Sequence, residues 1–509
     1  MKKLLVLFLC LLMAGSCLLV SCNDGPQDTS KSDTEDTSKT DAGYDPESGR
    51  YVANLPAFEW NVKDSVYATF DVAVTSNEEQ STYFSEDIGF DKYATTDAVI
   101  NDAVKERNRL IETKTGVVVT PVYVKNVTTA VQDDIAGGLG NYDMAMPFLS
   151  GAITLAQEGQ LYALNSEKLS PYIDLTMPWW SQGANEAFSI SEQLYFSTGD
   201  ITIMSKISTR ALVFNKEMYA TLFPGEKSLY EMVEEGVWTY DKMLEMCKKA
   251  TVDNGDGKWD YNDTWGLVSE TSDPYNFYSA AGESLANKDA DDLPYLTFEN
   301  TRSIDVAQRL LEEYAKKNTW HICSNRLDVD YGVPSSELWV VSLDIFGEGR
   351  ALFRCSVFSA IKKLRNYEDG IEFGIIPLPK FDEEQENYYT PSGSGTYVAV
   401  IPITAKDPEY SAYMTELLAC EAKNYLTPAY YETTLKSRDA RDDESEKMLD
   451  EYIFSNLKFD VGSFYNFGGI GSMMQTLAYD GKTDLVSTFE GLKATAENAI
   501  DETIENYRN

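Results

Sequence analysis

Histidine is nearly missing from this chain: His321 is the only one in 509 residues. That excludes zinc peptidases of the HExxH type and leaves one candidate base for any Ser-His-Asp triad. His321 follows a predicted helix in the stretch Asn318-Thr319-Trp320-His321 with no evident partner, so it reads as structural. Cysteines are few and none has CxxC spacing, which removes structural zinc and thioredoxin-like redox chemistry. Beyond the N-terminal segment only Cys247, Cys323, Cys355 and Cys420 remain. They are expected as buried free thiols, with one disulfide open in an oxidising location. Basic side chains are also scarce, 43 against 82 acidic ones, for a net charge of −39. Such a surface repels phosphate backbones, so nucleic-acid binding is excluded. There is no GxSxG, and Gly481-Lys482-Thr483 fails as a P-loop because Thr476 stands where glycine is required. No period of 20–50 residues repeats, and no segment after the first 20 residues is apolar over a membrane-spanning length.

What is present begins at the N-terminus. Lys2 and Lys3 precede an apolar run from Leu4 to Val20, the layout of a secretory signal. Leu19-Val20-Ser21-Cys22 resembles a bacterial lipobox, which implies cleavage after residue 21 and a lipid on Cys22. Several acyl chains hold a protein at a membrane where a single chain would let go. An uncleaved membrane helix fits less well, since the apolar core is short. Asn23 to Gly49 is Asp, Thr, Ser, Lys and Gly with one aromatic, Tyr44. That composition cannot offset the entropy of ordering and reads as a flexible tether.

The mature chain of 509 − 21 = 488 residues suits two lobes. Val66–Val74 is strand-like, and Asp97 can cap a helix with Val99, Ile100, Val104, Leu110 and Ile111 on one face. Gly116 stops that helix and Val117–Val124 is a second strand, so the segment reads as a βαβ unit. Tyr142–Met146 is a third short strand, with a helix beginning near Ile153. Further helices are expected after Thr239, from Ser303, after Asp407-Pro408 and from about Asp484 to the end. Helices and short strands alternate throughout, which makes the class α/β.

The order of local patterns resembles the extracellular solute-binding proteins of ABC importers, the maltose-binding-protein-like group. The matching stretches are Leu110–Val124, Tyr142-Asp143 with Gly159–Leu164, and Leu194–Phe196 with Ala211–Glu217. Trp238–Asp241, Phe346–Ala351 and Phe373–Pro379 follow in family order. The resemblance covers residues 66–420; the part beyond, with Tyr430-Tyr431-Glu432, is similar to one acidic branch of the group. It implies a type II periplasmic-binding-protein fold, two three-layer αβα lobes closing by hinge motion on a ligand in the cleft. The expected division is 1–21 signal, 22–65 anchored cysteine and linker, 66–202 with 376–425 as lobe 1, and 203–375 with 426–509 as lobe 2. The function implied is capture of a carbohydrate and its delivery to ABC permease subunits, by a monomer anchored at the outer face of the cytoplasmic membrane. An extracellular glycosidase, which needs only a carboxylate pair, and a receptor for peptides or other solutes are the alternatives.

A sugar offers hydroxyls at its rim and a C–H face, so its pocket needs aromatic plates with flanking carboxylates and amides. Near the expected cleft these are Phe148 and Ser150 after the third strand, and Asp200 at the first crossing. Asp273, Tyr275, Asn276 and Phe277 follow Gly266–Val268; Phe358, Tyr465 and Phe467 complete the set. Each aromatic could equally pack a core or a lobe interface, and so could the pair Trp179-Trp180. Finally, the loop Asp253–Asp263 carries Asp253, Asn254, Asp256, Asp260 and Asp263 around Gly257. That spacing suits a structural Ca²⁺ loop, although Val252 falls at its first position; a solvated acidic turn is the alternative.

Overall fold

The computed structural model describes residues 42–76, 87–89, 98–364, 367, 371–392, 395–440 and 442–508. The signal segment, Cys22, most of the tether and Asp97 lie outside these. From Ala42 onward the chain forms one compact unit. Among the described residues no helix is long and apolar enough to cross a membrane.

The expected linker 22–65 is shorter than its composition suggested. Strands β1 (Tyr44–Asp45) and β2 (Arg50–Tyr51) pair as an antiparallel hairpin. This hairpin is tied to the body: Arg50 donates to Glu421 (2.6 Å), and Tyr51 and Asn424 exchange two bonds of 2.8 Å. Phe58 and Trp60 then pack edge-on against Tyr413, and the Trp60 indole donates to Asp407 at 2.9 Å. Aromatics at 44, 51, 58 and 60 supply the apolar area that holds this part of the expected linker on the body.

The first sheet has β3 (Thr69–Thr75) between β4 (Val118–Val124) and β5 (Met144–Ala145), all parallel. The crossover helix Ala98–Thr115 turns Ile100, Val104 and Ile111 inward, and Gly116 ends it at φ +78°. The expected βαβ unit is present. Residues 397–402 return antiparallel along this sheet, bridging Ala145 to Val400, Leu161 to Pro402 and Ser197 to Ala399. Helix Pro408–Pro428 follows, its first N–H groups capped by Asp407.

The second sheet contains β6 (Arg210–Asn215) and β7 (Trp265–Ser269). After a small hairpin of β8 (Ala286–Lys288) and β9 (Pro294–Leu296) come β10 (His321–Cys323), β11 (Ala351–Val357) and β12 (Phe373–Ile376). The order is β10-β7-β11-β6-β12, with β7, β10 and β11 parallel and β6 antiparallel to both its neighbours. All five residues of β7 are buried, as a strand covered on both faces requires. Helix Tyr240–Ala250 is capped by Thr239 as expected. Helix Thr301–Tyr314 starts two residues before Ser303, because Asn300 takes the cap and leaves the Ser303 hydroxyl to bond Tyr278 and Glu283.

One hydrophobic cluster includes Ala145 and Val400 of the first sheet, Leu267 and Phe353 of the second, and Phe489 and Ile500 of the last helix, Leu485–Arg508. Elements from both expected lobes therefore contribute to one cluster, while at the expected boundaries Ile201 and Ile203, and Ile375 and Ile376, fall in different ones. Because the hairpin and its aromatics cover that body, deleting residues 1–41 is expected to leave the unfolding temperature unchanged. Extending the deletion through residue 65, or Trp60→Ala alone, should cost about 2 kcal/mol, read by chemical denaturation.

Candidate functional site

In open α/β sheets ligands bind beyond the carboxyl ends of the parallel strands. In the first sheet those ends are Thr75, Lys125-Asn126 and Phe148. They border a cavity of about 340 Å³, with Thr128 and Ser150 completing its wall. Two helices begin there. Asn126 caps the helix Val127–Gly137, whereas Phe148 precedes the helix Leu149–Gln157 without a side-chain cap. The two helices approach so closely that a Cβ at Gly151 would fall 1.9 Å from the Thr128 hydroxyl. Phe148 is half-buried with its ring centroid 4.6 Å from that of Tyr397, and Ser150 is exposed.

The second sheet ends in a charged cluster. Arg210 opens β6 opposite Val357, the last residue of β11. Its guanidinium donates to Glu270 (3.1 Å) and Ser272 (3.2 Å) and lies 3.8 Å from Asp273. Asp273 is fully buried and accepts from the Glu270 amide (2.8 Å) and the Asn276 side chain (3.1 Å). Burial pushes the Asp273 carboxyl upward, against the pull of Arg210. Around this cluster the hydroxyls of Ser208, Ser356 and Ser359 are buried and find no partner among the described residues. A native interior leaves few polar groups unpaired, which sets these three hydroxyls apart from the satisfied interior around them.

Three consecutive residues join the two strand ends. A Cβ on Gly395 would sit 3.7 Å from that of Ser208, beside the charged cluster. Thr396 accepts the Leu149 amide at 3.1 Å through its carbonyl, and Tyr397 packs on Phe148. An extended chain rises about 3.3 Å per residue, so the two patches flank one short segment.

The predicted ligand residues divide accordingly. Phe148 and Ser150 lie at the first strand ends, Asp273 and Asn276 in the charged cluster. Tyr275 points away and donates to Asp460 at 3.1 Å. Phe277 packs in the core on Tyr240, and Phe358, 1 % exposed, stacks on Phe454. Tyr465 and Phe467 stack on each other at 5.3 Å, with the Tyr465 hydroxyl satisfied by Phe188 and Tyr507. They border another cavity of about 430 Å³ with Gln157, Glu158 and Asn506, and Thr154 lines both this space and the first. Asp200 is held elsewhere, by Lys206 (2.8 Å), Lys423 (3.2 Å) and Thr427 (2.7 Å). Trp179 and Trp180 are buried, the Trp180 indole donating to Glu416 at 2.8 Å. Sequence reasoning missed Arg210, Glu270, Ser208, Ser356 and Ser359. The available signal was a basic residue directly before the apolar strand Ala211–Phe214.

The loop Asp253–Asp263 turns its acceptors onto its own backbone. Asp253 receives the Gly255 amide (2.6 Å), Asn254 that of Asp256 (3.0 Å), Asp256 that of Lys258 (2.8 Å) and Asp260 that of Asn262 (2.7 Å). Asp263, fully buried, takes the amides of Asn254 and Asp260. Among the described residues no three acidic, cysteine or histidine side chains gather closely enough to hold a metal ion. All four body cysteines are buried and unbridged. His321 does have partners: Nδ1 meets Ser269 Oγ at 2.8 Å and Nε2 meets the Tyr314 carbonyl at 2.9 Å.

Two predictions follow from these contacts. Unfolding curves with Ca²⁺ and with a chelator are expected to coincide, while Asp263→Ala lowers stability by about 2 kcal/mol in both through its two orphaned amides. Burial lowers the His321 pKa to about 4 from 6.5. The unfolded chain thus binds more protons between those values, so this residue's contribution to stability rises with pH across the window and is lost on acidification. Between pH 7 and pH 4 the wild type should lose on the order of 3 kcal/mol more than His321→Asn, measured by denaturant titration at each pH.

No family model and no curated protein matches the chain. Solved structures do. An ABC substrate-binding protein from Listeria monocytogenes, in complex with cycloalternan, matches at 14% identity and TM-score 0.51, covering 86% of this chain and 99% of its own. A cyclo/maltodextrin-binding protein complexed with maltotetraose matches at 15% identity and TM-score 0.51, covering 87% and 96%. Apo RafE from Streptococcus pneumoniae matches at 14% identity and TM-score 0.50, covering 86% and 97%. With its mixed sheets, helices on their faces and a returning strand, this chain has the type II fold shared by maltodextrin-type solute-binding proteins of ABC transporters.

Proposed function

We propose that this protein captures an oligosaccharide at the joined strand ends and hands it to the permease of an ABC importer, without chemical change. The observation that carries this reading is the set of unpaired buried hydroxyls of Ser208, Ser356 and Ser359 beside the Arg210–Glu270–Asp273 cluster, a few residues from the Phe148 ring. A sugar rim can pair with each of these groups, and its C–H face can lie on the ring. The cavities of about 340 and 430 Å³ that share Thr154 favour a ligand longer than one sugar unit. Two proteins of the same fold, named above, were solved with cycloalternan and with maltotetraose, which supports an oligosaccharide here. The lipobox-like Leu19–Cys22 supports a lipid anchor and a place at the outer membrane face, where a monomer would meet its permease.

Against hydrolysis stands the use of the carboxylates: Glu270 and Asp273 both neutralise Arg210, and Asp273 also accepts two further hydrogen bonds. Neither is left as an unencumbered acid or nucleophile.

Thermal unfolding of the chain with malto-oligosaccharides of increasing length tests the reading. A ligand bound only to the folded state raises the unfolding temperature by mass action, and chromatography should recover the sugar intact. No shift with any sugar, or a consumed one, would overturn it. Ser208→Ala and Ser359→Ala should leave the unliganded protein as stable or slightly more stable, since each removes an unpaired buried hydroxyl, yet weaken sugar binding about tenfold, or ~1.4 kcal/mol. A hydroxyl kept only for structure would show the reverse.

A further inference from the structure

A cavity of about 320 Å³ at the first crossing is bordered by Trp180, Asp200, Lys206, Lys423, Tyr431 and Phe454, with Thr396 placing it beside the segment that joins the strand ends. Its polar floor is built. Asp200 is 8 % exposed, and both its oxygens are occupied: Lys206 and Thr427 donate to one, Lys423 to the other. The two ammonium groups outweigh burial and hold the Asp200 carboxyl below its usual range. Three of the roughly four acceptor positions of this carboxylate are thus filled. Each lysine, by contrast, has three N–H donors and gives one to Asp200, and both side chains are about four-fifths buried. Two cations against one anion leave the floor with a local excess of positive charge, in a chain whose net charge is −39.

Aromatic rings form part of the wall. Tyr431 and Phe454 meet edge-on at 5.3 Å, and Tyr431 spends its hydroxyl outward on Asp450 (2.6 Å). Lys423 is fixed from behind by the Tyr51 ring, 4.7 Å away in the N-terminal hairpin, and Lys206 lies six residues from Asp200 at the crossing into β6. The cavity thus combines unspent cationic donors with aromatic faces.

We propose that this cavity is a second ligand site, taking a small ring-bearing carboxylic acid whose carboxylate meets Lys206 and Lys423 and whose ring lies between Trp180, Tyr431 and Phe454. A charge-assisted bond to each lysine gives selectivity for the anion over a neutral isostere, because the unpaired donors favour only the former.

The test is isothermal titration of the full chain with benzoate and, separately, benzamide. Saturable binding of benzoate, at least tenfold tighter than benzamide, is expected. Lys206→Met should abolish that preference without altering sugar binding. Asp200→Asn, which frees both lysines, should tighten benzoate severalfold, and it keeps the proposal testable where the lysine variant is too unstable to titrate. Equal binding of benzamide would make this a neutral apolar cavity. Absence of binding, or competition between benzoate and a bound oligosaccharide, would likewise overturn the second site.

Discussion

The return of residues 397–402 along the first sheet is the constraint on which the molecule depends. Val400 and Ala145 exchange two backbone bonds of 3.0 Å, Ala399 and Ser197 a second pair, and the Tyr162 amide meets the Ile401 carbonyl. These bonds reach across more than 200 residues of chain, so the second sheet has to be completed between the outgoing and returning passes. They also set Gly395, Thr396 and Tyr397 between the charged cluster and Phe148. Slip that pairing by one residue and Tyr397 would turn to the opposite face, away from Phe148.

Charge is distributed with the same economy. On a strongly acidic chain several partly buried cations are paired with largely buried carboxylates: Arg210 with Glu270 and Asp273, Lys206 and Lys423 with Asp200, Arg50 and Lys114 with Glu421. Breaking any one would strand a carboxylate that is largely buried, which costs far more than an exposed pair is worth. The difference between the sites lies in what is left over. At the strand ends unpaired hydroxyls remain; at the crossing cavity ammonium donors remain. Opposite surpluses recognise opposite chemistry.

Much of the fold was legible in the chain because local physics repeats. Asp407-Pro408 starts a helix wherever it occurs, and Gly116 ends one; β-branched runs such as Val117–Val124 become strands. The candidate site was less legible. Phe148 and Asp273 follow strands and could be placed by that rule alone. Phe277 and Phe358 follow strands too, yet one packs on Tyr240 and the other on Phe454, because an aromatic ring is as good a core filler as a sugar plate. Residues 42–65 were read as tether because the Asp/Ser/Thr stretch preceding them set the expectation. Phe58 and Trp60 find partners in a helix more than 340 positions away, and Trp60 also meets Tyr172.

The sequence by itself determined the class and the alternation of helix and strand, since each follows from composition or from contacts a few residues apart. Only the tertiary structure decided which polar groups are spent and which are left over. Ser208, Ser356 and Ser359 are ordinary serines until the strands around them are paired. Asp200 is an ordinary aspartate until two lysines from different elements close on it. Hydrogen-bond satisfaction is a property of three-dimensional neighbours, and no spacing along the chain encodes it.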